Sequence, residues 1–135
     1  MTPRAMRRHY LREAALLLRL SQLAVGLLPP SRIFAWVDRP LGRVRRFAAD
    51  EADWVAWAVE HVARRRGMKA ACLVQALAAH AMLRRRGIPS TLCLGVCGSG
   101  GSVAAHAWIE SQGRKLTGGA DAATFTPLTA FGSTA

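Results

Sequence analysis

The strongest constraint on the fold is a change of hydrophobic period in the middle of the chain. Over residues 72–86 the apolar side chains follow the three- and four-residue spacing of a helix. Gly87 and Pro89 end that pattern. The next two segments, residues 90–96 and 103–110, alternate as strands do. Helices followed by strands with short turns predict an α+β domain with an antiparallel sheet.

Two further helices are predicted in the N-terminal part. The first covers residues 10–28 and stops at Pro29, because proline cannot continue the helical hydrogen-bond ladder. Its apolar positions with helical spacing are Leu11, Ala15, Leu18, Ala24 and Val25. The second covers residues 51–66, with Asp50 as its N-cap. Residues 31–49, between the two, predict an irregular connection.

A third strand is predicted over residues 114–117, after a turn at residues 111–113. With 135 residues the chain is long enough for a single domain with one core. We interpret it in three regions: helices and loop at residues 1–49, the chemistry-bearing core at 50–118, and a poorly defined tail at 119–135.

The net charge of +11 comes almost entirely from arginine. An acidic partner is one explanation, and a solvated face of arginine-rich helices is the other. The arginines form short clusters that are not interleaved with aromatic residues, so no nucleic-acid partner is expected. Three cysteines without metal-type spacing favour free thiols in a reducing compartment, and hence a cytoplasmic protein with no metal or cofactor.

The start of the chain has some features of a targeting segment. Basic residues precede an apolar run over residues 14–28, but Arg19 interrupts that run and no small-residue cleavage pattern follows. The run is also shorter than the roughly 20 residues of a spanning helix. An amphipathic or buried helix is the better interpretation, and peripheral contact with a membrane stays open as an alternative.

Cys72 is the first candidate for chemistry. At a helix start, a sulfur lies near free amide hydrogens and the positive end of the helix dipole, which together favour the nucleophilic thiolate. The same amides could bind the oxyanion of an acyl-transfer intermediate. The alternative is a buried cysteine that acts as a small hydrophobic residue.

His106 is the candidate base. Strand alternation places His106, Trp108 and Glu110 on one face of the predicted strand. Glu110 cannot orient the imidazole, since four residues of strand span about 13 Å. If the turn has three residues, His106 faces Gly118, which has no side chain, and the nearest acceptors are Thr117 and Asp121. We favour Asp121 because it is charged.

The order of these motifs resembles a known family. Cys72 opens the helix that ends in Leu83-Arg84-Arg85-Arg86-Gly87-Ile88-Pro89, and the later strand reads Ala105-His106-Ala107-Trp108-Ile109-Glu110. This combination is similar to the standalone leader peptidases (B proteins) of lasso-peptide biosynthesis, in the transglutaminase-like cysteine protease superfamily. The resemblance implies a papain-like core, Cys72 as nucleophile and His106 as base. It also implies a third aspartate where Gly118 falls here, so either Asp121 substitutes or the site is a dyad.

The resemblance further implies the reaction and its partners. A member of this family cuts a ribosomally synthesised precursor after its leader, without a cofactor. A leader-binding recognition protein delivers the precursor, and an ATP-dependent lasso cyclase then closes the ring. Because the third member of the triad is displaced, a non-catalytic scaffold of the same fold, holding the precursor for the cyclase, remains the alternative.

Overall fold

The structure is a computed structural model, and it describes residues 2–68, 71–99, 102–117 and 126–132. Within these ranges, helices precede strands along the chain. The helices are α1 (Pro3–Leu27), α2 (Pro30–Val37), α3 (Ala49–Arg65) and α4 (Cys72–Arg85). The strands are β1 (Thr91–Ser99), β2 (Ser102–Ser111), β3 (Arg114–Lys115) and β4 (Thr126–Phe131). The predicted α+β class is confirmed.

Helix α1 begins well before the predicted start. Thr2 caps it, since its hydroxyl accepts a hydrogen bond from the Ala5 amide at 3.1 Å. The residues of α1 that are buried against the core are Tyr10, Glu13, Ala14, Leu18 and Ser21. Of the residues predicted for the inner face, only Leu18 is fully buried, so that prediction was about one residue out of phase. The cause is a second set of leucines on α1, which widened the apolar stripe.

The prediction of an irregular segment over residues 31–49 was wrong in its first part, which forms α2. Pro30 lies in the first turn of α2, where its fixed φ suits a helix and its missing amide hydrogen costs nothing. Asp50 was also wrong as a cap. It lies inside the first turn of α3, and the carboxylate of Glu51 instead accepts a hydrogen bond from the Ala48 amide at 3.0 Å.

Helix α4 lies at the centre of the fold. It packs against α1, α3, β1 and β2, and its side chains are buried on nearly every side: Val74, Ala76, Leu77, Ala78, Ala79, His80, Met82 and Leu83. Small residues on α4 allow the neighbouring elements to approach closely. The predicted ends of α3 and α4 are confirmed, because Gly67 and Gly87 both have a φ of 69°, which favours glycine.

The four strands form an antiparallel sheet in the order β3-β2-β1-β4. The turn between β2 and β3 has two central residues, Gln112 and Gly113, both with positive φ. Glu110 therefore pairs with Lys115, and the predicted three-residue turn, which set His106 opposite Gly118, was wrong by one residue. Strand β4 was not predicted, because most of its side chains are exposed and show no alternating pattern.

Several arginines hold elements of the fold together. Each donates to a backbone carbonyl or a carboxylate distant in sequence, and the five are Arg45, Arg66, Arg84, Arg86 and Arg114. Arg84, for example, donates to the carbonyls of Arg39 and Pro40 at 2.8 and 2.7 Å, which fixes the chain after α2. Part of the positive charge therefore serves the fold itself.

Among the described residues, none of the helices has both the length and the apolar character needed to cross a membrane.

Candidate active site

Cys72 is the first residue of α4, as predicted. Its thiol is free and half-buried, and its side chain packs against the main core. Ala71 provides no side-chain cap, and the first turn of α4 contains no acidic residue. The backbone before the helix is held by Gln75, whose side-chain amide donates to the Met68 carbonyl at 3.0 Å. The sulfur thus lies at an uncapped helix start, where the dipole favours negative charge.

His106 lies on β2 opposite Gly95 of β1. Its ring stacks on the Trp108 indole, with centroids 5.9 Å apart and an angle of 23° between the planes. Trp108 is almost completely buried, and its indole nitrogen donates to the Glu110 carboxylate at 3.1 Å. The predicted shared face of His106, Trp108 and Glu110 is confirmed by these contacts. Together they restrict where the imidazole can lie.

Gly95 makes room for this arrangement. A Cβ atom at Gly95 would lie 2.9 Å from the Trp108 ring and 2.9 Å from the Thr126 carbonyl oxygen. Real Cβ atoms essentially never come so close, so the indole can lie across β1 only because residue 95 is glycine. Sequence reasoning passed over this residue, although a glycine inside an apolar strand is itself a signal of close approach.

Helix α4 packs against both β1 and β2, so the lengths of these elements predict where Cys72 lies along the sheet. The 14 residues of α4 extend about 20 Å at 1.5 Å per residue. The chain turns back into β1 after the helix, and 20 Å corresponds to about six strand residues. From these lengths we expect Cys72 to lie level with Val96, whose partner across the sheet is Ala105, next to His106.

The two candidates differ in the face of the sheet that they use. Ala107 and Ile109 of β2 belong to the main core, which α4 also supplies. His106 alternates with them and lies on the opposite face, where Trp108 and Cys93 form a separate buried cluster. The structure therefore brings the helix and the strand together but places the imidazole on the face away from the helical core. Their pairing in a catalytic dyad stays a prediction.

The proposed third member falls outside the described residues. Neither Asp121 nor Gly118 belongs to them. The observed register of Glu110 with Lys115 differs by one residue from the register that predicted Gly118 opposite His106. Thr117, the other acceptor considered, is buried, and its hydroxyl lacks a hydrogen-bond partner. Glu110 is held by Trp108, in agreement with its exclusion as the orienting residue.

Cys93 is the second described thiol, and its environment is unlike that of Cys72. Burial raises the pKa of the Cys93 thiol to about 11, and the nearby Glu110 carboxylate adds to the effect. A thiol with so high a pKa is almost entirely protonated at neutral pH and is a poor nucleophile. Between these two cysteines, the structure favours Cys72.

Among the described residues, His, Cys, Asp and Glu side chains do not come together in groups of three or more. Trp54 and Trp57 of α3 both pack against the core. They also line an open groove of about 430 Å³ with Arg7, whose guanidinium lies 5.0 Å from the Trp57 ring.

The comparison with family models identifies the class of protein. The model of the transglutaminase-like superfamily matches residues 8–130, which is nearly the whole chain. The chain therefore belongs to the transglutaminase-like superfamily, which includes cysteine peptidases. Searches of curated proteins and of solved structures gave no match.

Proposed function

We propose that this chain is a cysteine peptidase that removes the leader from a ribosomally synthesised lasso-peptide precursor. The observation that carries the proposal is the position of Cys72 at the uncapped start of α4, in a superfamily that includes cysteine peptidases. The Ala105-His106-Ala107-Trp108 strand, which follows in the order typical of leader peptidases, supports the choice of substrate.

In this mechanism the His106 imidazole has to reach the side of the sheet on which Cys72 lies. There it accepts the proton of Cys72, and the thiolate attacks the scissile carbonyl carbon. The oxyanion formed on the carbonyl oxygen accepts hydrogen bonds from the free amides at the start of α4. His106 then donates its proton to the leaving amine, so that the core peptide departs and the leader stays bound as a thioester. Water attacks this acyl-enzyme and releases the leader as a carboxylic acid, which restores the thiol.

The partners follow from the same proposal. A leader-binding recognition protein presents the precursor, and an ATP-dependent lasso cyclase takes the freed core peptide, all within the cytoplasm. Asp121 is the proposed acceptor for the second imidazole nitrogen of His106. If it does not fill that role, the site works as a dyad in which Trp108 stacks on the ring.

The experiment is cleavage of a precursor peptide in the presence of its leader-binding protein, followed by mass spectrometry. The wild-type chain is expected to yield free leader and core peptide. Cys72→Ala is expected to abolish cleavage while precursor binding persists, and Cys93→Ala serves as the matched control that retains cleavage. Cleavage at the wild-type rate by Cys72→Ala would end the proposal.

A second candidate, the non-catalytic scaffold, is favoured by one observation. His106 lies on the sheet face away from the helical core that Cys72 packs against. A scaffold would bind precursor and cyclase without cutting. The same experiment separates the two, because a scaffold leaves the precursor intact yet raises the yield of cyclised product when the precursor is supplied already cut.

A further inference from the structure

Helix α1 has a second apolar face that points away from the core. Leu16, Leu20, Leu23 and Leu27 are all exposed, at 49 to 79% of their full area. At 100° per residue they lie on the side of α1 roughly opposite the buried Tyr10, Ala14 and Leu18. A face with four exposed leucines is more than the scattered apolar residues of an ordinary surface.

The spacing of these leucines is that of a helix-pairing seam. The intervals are four, three and four residues, which is the alternation of core positions in helices that pack side by side. The seam covers about 17 Å, or three helical turns. It therefore fits the apolar stripe of one further helix of similar length.

The seam continues into a groove. Leu20 also lines a depression of about 330 Å³ between α1, α2 and α4, whose walls include Ser21 and Ala24 of α1, Trp36 of α2, and Leu77 of α4. A concave apolar site receives the projecting side chains of a protein partner, whereas a membrane-surface helix buries its apolar face among the lipid headgroups and needs no groove. The shape therefore favours a protein partner over a membrane surface.

The positive charge around this surface indicates that the partner is negatively charged. Arg8, Arg12 and Arg19 lie along one flank of the leucine seam, and Arg32 lines the groove on the other side. All four are exposed, and within the described part of the chain none forms an ion pair. The only acidic residue of α1, Glu13, is buried. A second copy of this chain would bring like charges together, so it fits poorly.

We propose that the leucine seam and the adjoining groove bind an amphipathic helix of a partner protein, with an apolar stripe of three turns and acidic residues on its flanks. The surface involves neither Cys72 nor His106. This inference therefore stands independently of the peptidase activity, and failure of one does not imply failure of the other.

The test uses the full chain and labelled synthetic helices of about 21 residues, three heptads, as probes. The probes share a leucine stripe and differ only in their flanks, which are glutamate or lysine. Fluorescence anisotropy is expected to show binding of the glutamate helix at least tenfold tighter than the lysine helix. The preference should shrink at about 0.5 M salt, because the flanking charges are exposed.

Variants locate the contact. The double variant Leu16→Asp, Leu23→Asp is expected to weaken binding of the glutamate helix at least tenfold. Leu128→Asp, at an equally exposed leucine of β4, is the matched control and should bind as the wild type does. Circular dichroism checks that each variant keeps its helix content, which is expected because all three positions are exposed.

Three results would overturn the inference. The first is equal affinity of the wild-type chain for the glutamate and lysine helices, or binding of the glutamate helix by the double variant as tightly as by the wild type. The second is leucine-dependent binding to phosphatidylglycerol vesicles by a chain that ignores the glutamate helix, which would make the surface a membrane contact. The third is a leucine-dependent dimer in sedimentation experiments, which would make the occupant a second copy.

Discussion

The carboxylate of Glu13 accepts two hydrogen bonds from the guanidinium of Arg86, at 2.8 and 2.7 Å, across 73 residues of sequence. Both side chains are largely buried, and the Arg86 guanidinium also lies over the Tyr10 ring, 4.5 Å from its centroid. This pair joins α1 to the C-terminal end of α4. Because α4 is a stiff rod, its attachment at this end also fixes where Cys72 lies at the other.

Removal of one partner of this pair leaves a buried charge uncompensated. Glu13→Gln is therefore expected to lower the free energy of unfolding by about 3 kcal/mol, measured by urea denaturation. Asp53→Asn removes the acid from the exposed ion pair with Arg114 and is the control, with an expected loss below about 1 kcal/mol. Equal losses in the two variants would show that the buried pair of Glu13 and Arg86 stabilises the fold no more than the exposed pair does.

The close approach of Trp108 to Gly95 can be tested with an alanine substitution at Gly95, and Gly26 provides the control. Gly95→Ala is expected to lower the free energy of unfolding by about 1–3 kcal/mol, because the new methyl group meets the indole and the Thr126 carbonyl. Gly26→Ala has no atom within 4 Å and lies in a helix, so it should be neutral or stabilising by up to about 1 kcal/mol. Thermal unfolding by circular dichroism measures both. A harmless Gly95→Ala would contradict the packing described here.

Because His80 is buried, the folded chain is expected to lose stability in acid. Burial, with a further contribution from Arg84, lowers the pKa of His80 from 6.5 to about 4 in the folded chain. Between these values the unfolded chain binds a proton at this position and the folded chain does not. Stability should therefore be fully present above about pH 6.5 and fall as the pH drops towards 4, by on the order of 3 kcal/mol.

The measurement for His80 is urea denaturation at a series of pH values. His80→Gln is expected to be less stable than the wild type at pH 7, because the 2.7 Å hydrogen bond between His80 and Ser90 is lost. Its stability should also depend less on pH between 6.5 and 4. A slope unchanged in His80→Gln would assign the acid sensitivity to other groups.

The two described thiols should react at different rates. Iodoacetamide at pH 7.5 is expected to modify Cys72 well before Cys93, since Cys93 is buried and has a pKa of about 11. Peptide mass spectrometry after brief labelling gives the two rates separately. In urea both residues should react alike, which shows that the difference belongs to the fold. Faster labelling of Cys93 would argue against Cys72 as the nucleophile.

Strong local signals were predictable from the sequence, and relationships between elements were less so. The start of α4 at Cys72 and its end before Gly87 follow from helical period and a glycine stop. Helix α2 escaped prediction because its 8 residues are too few to show a period. The pairing of Glu110 was missed because a turn of two or three residues fits the same Ser111-Gln112-Gly113 sequence.

The sequence pattern also did not predict which face of β2 packs against the helices. His106 and Trp108 on one side and Ala107 and Ile109 on the other are both compatible with burial, so alternation alone does not select between them. The choice depends on what α4 presents to the sheet. This is a property of packing between residues distant in sequence.

The arginine contacts described above have a consequence for the composition of the chain. A variant with lysine at Arg45, Arg66, Arg84, Arg86 and Arg114 would keep an identical formal charge. It would lose the planar, forked geometry through which Arg45, Arg84 and Arg86 each reach two acceptors at once, because an ammonium group cannot reproduce it. Arginine in place of lysine is thus a requirement of the architecture here, and counts of basic residues alone overstate how much cationic surface is offered to other molecules.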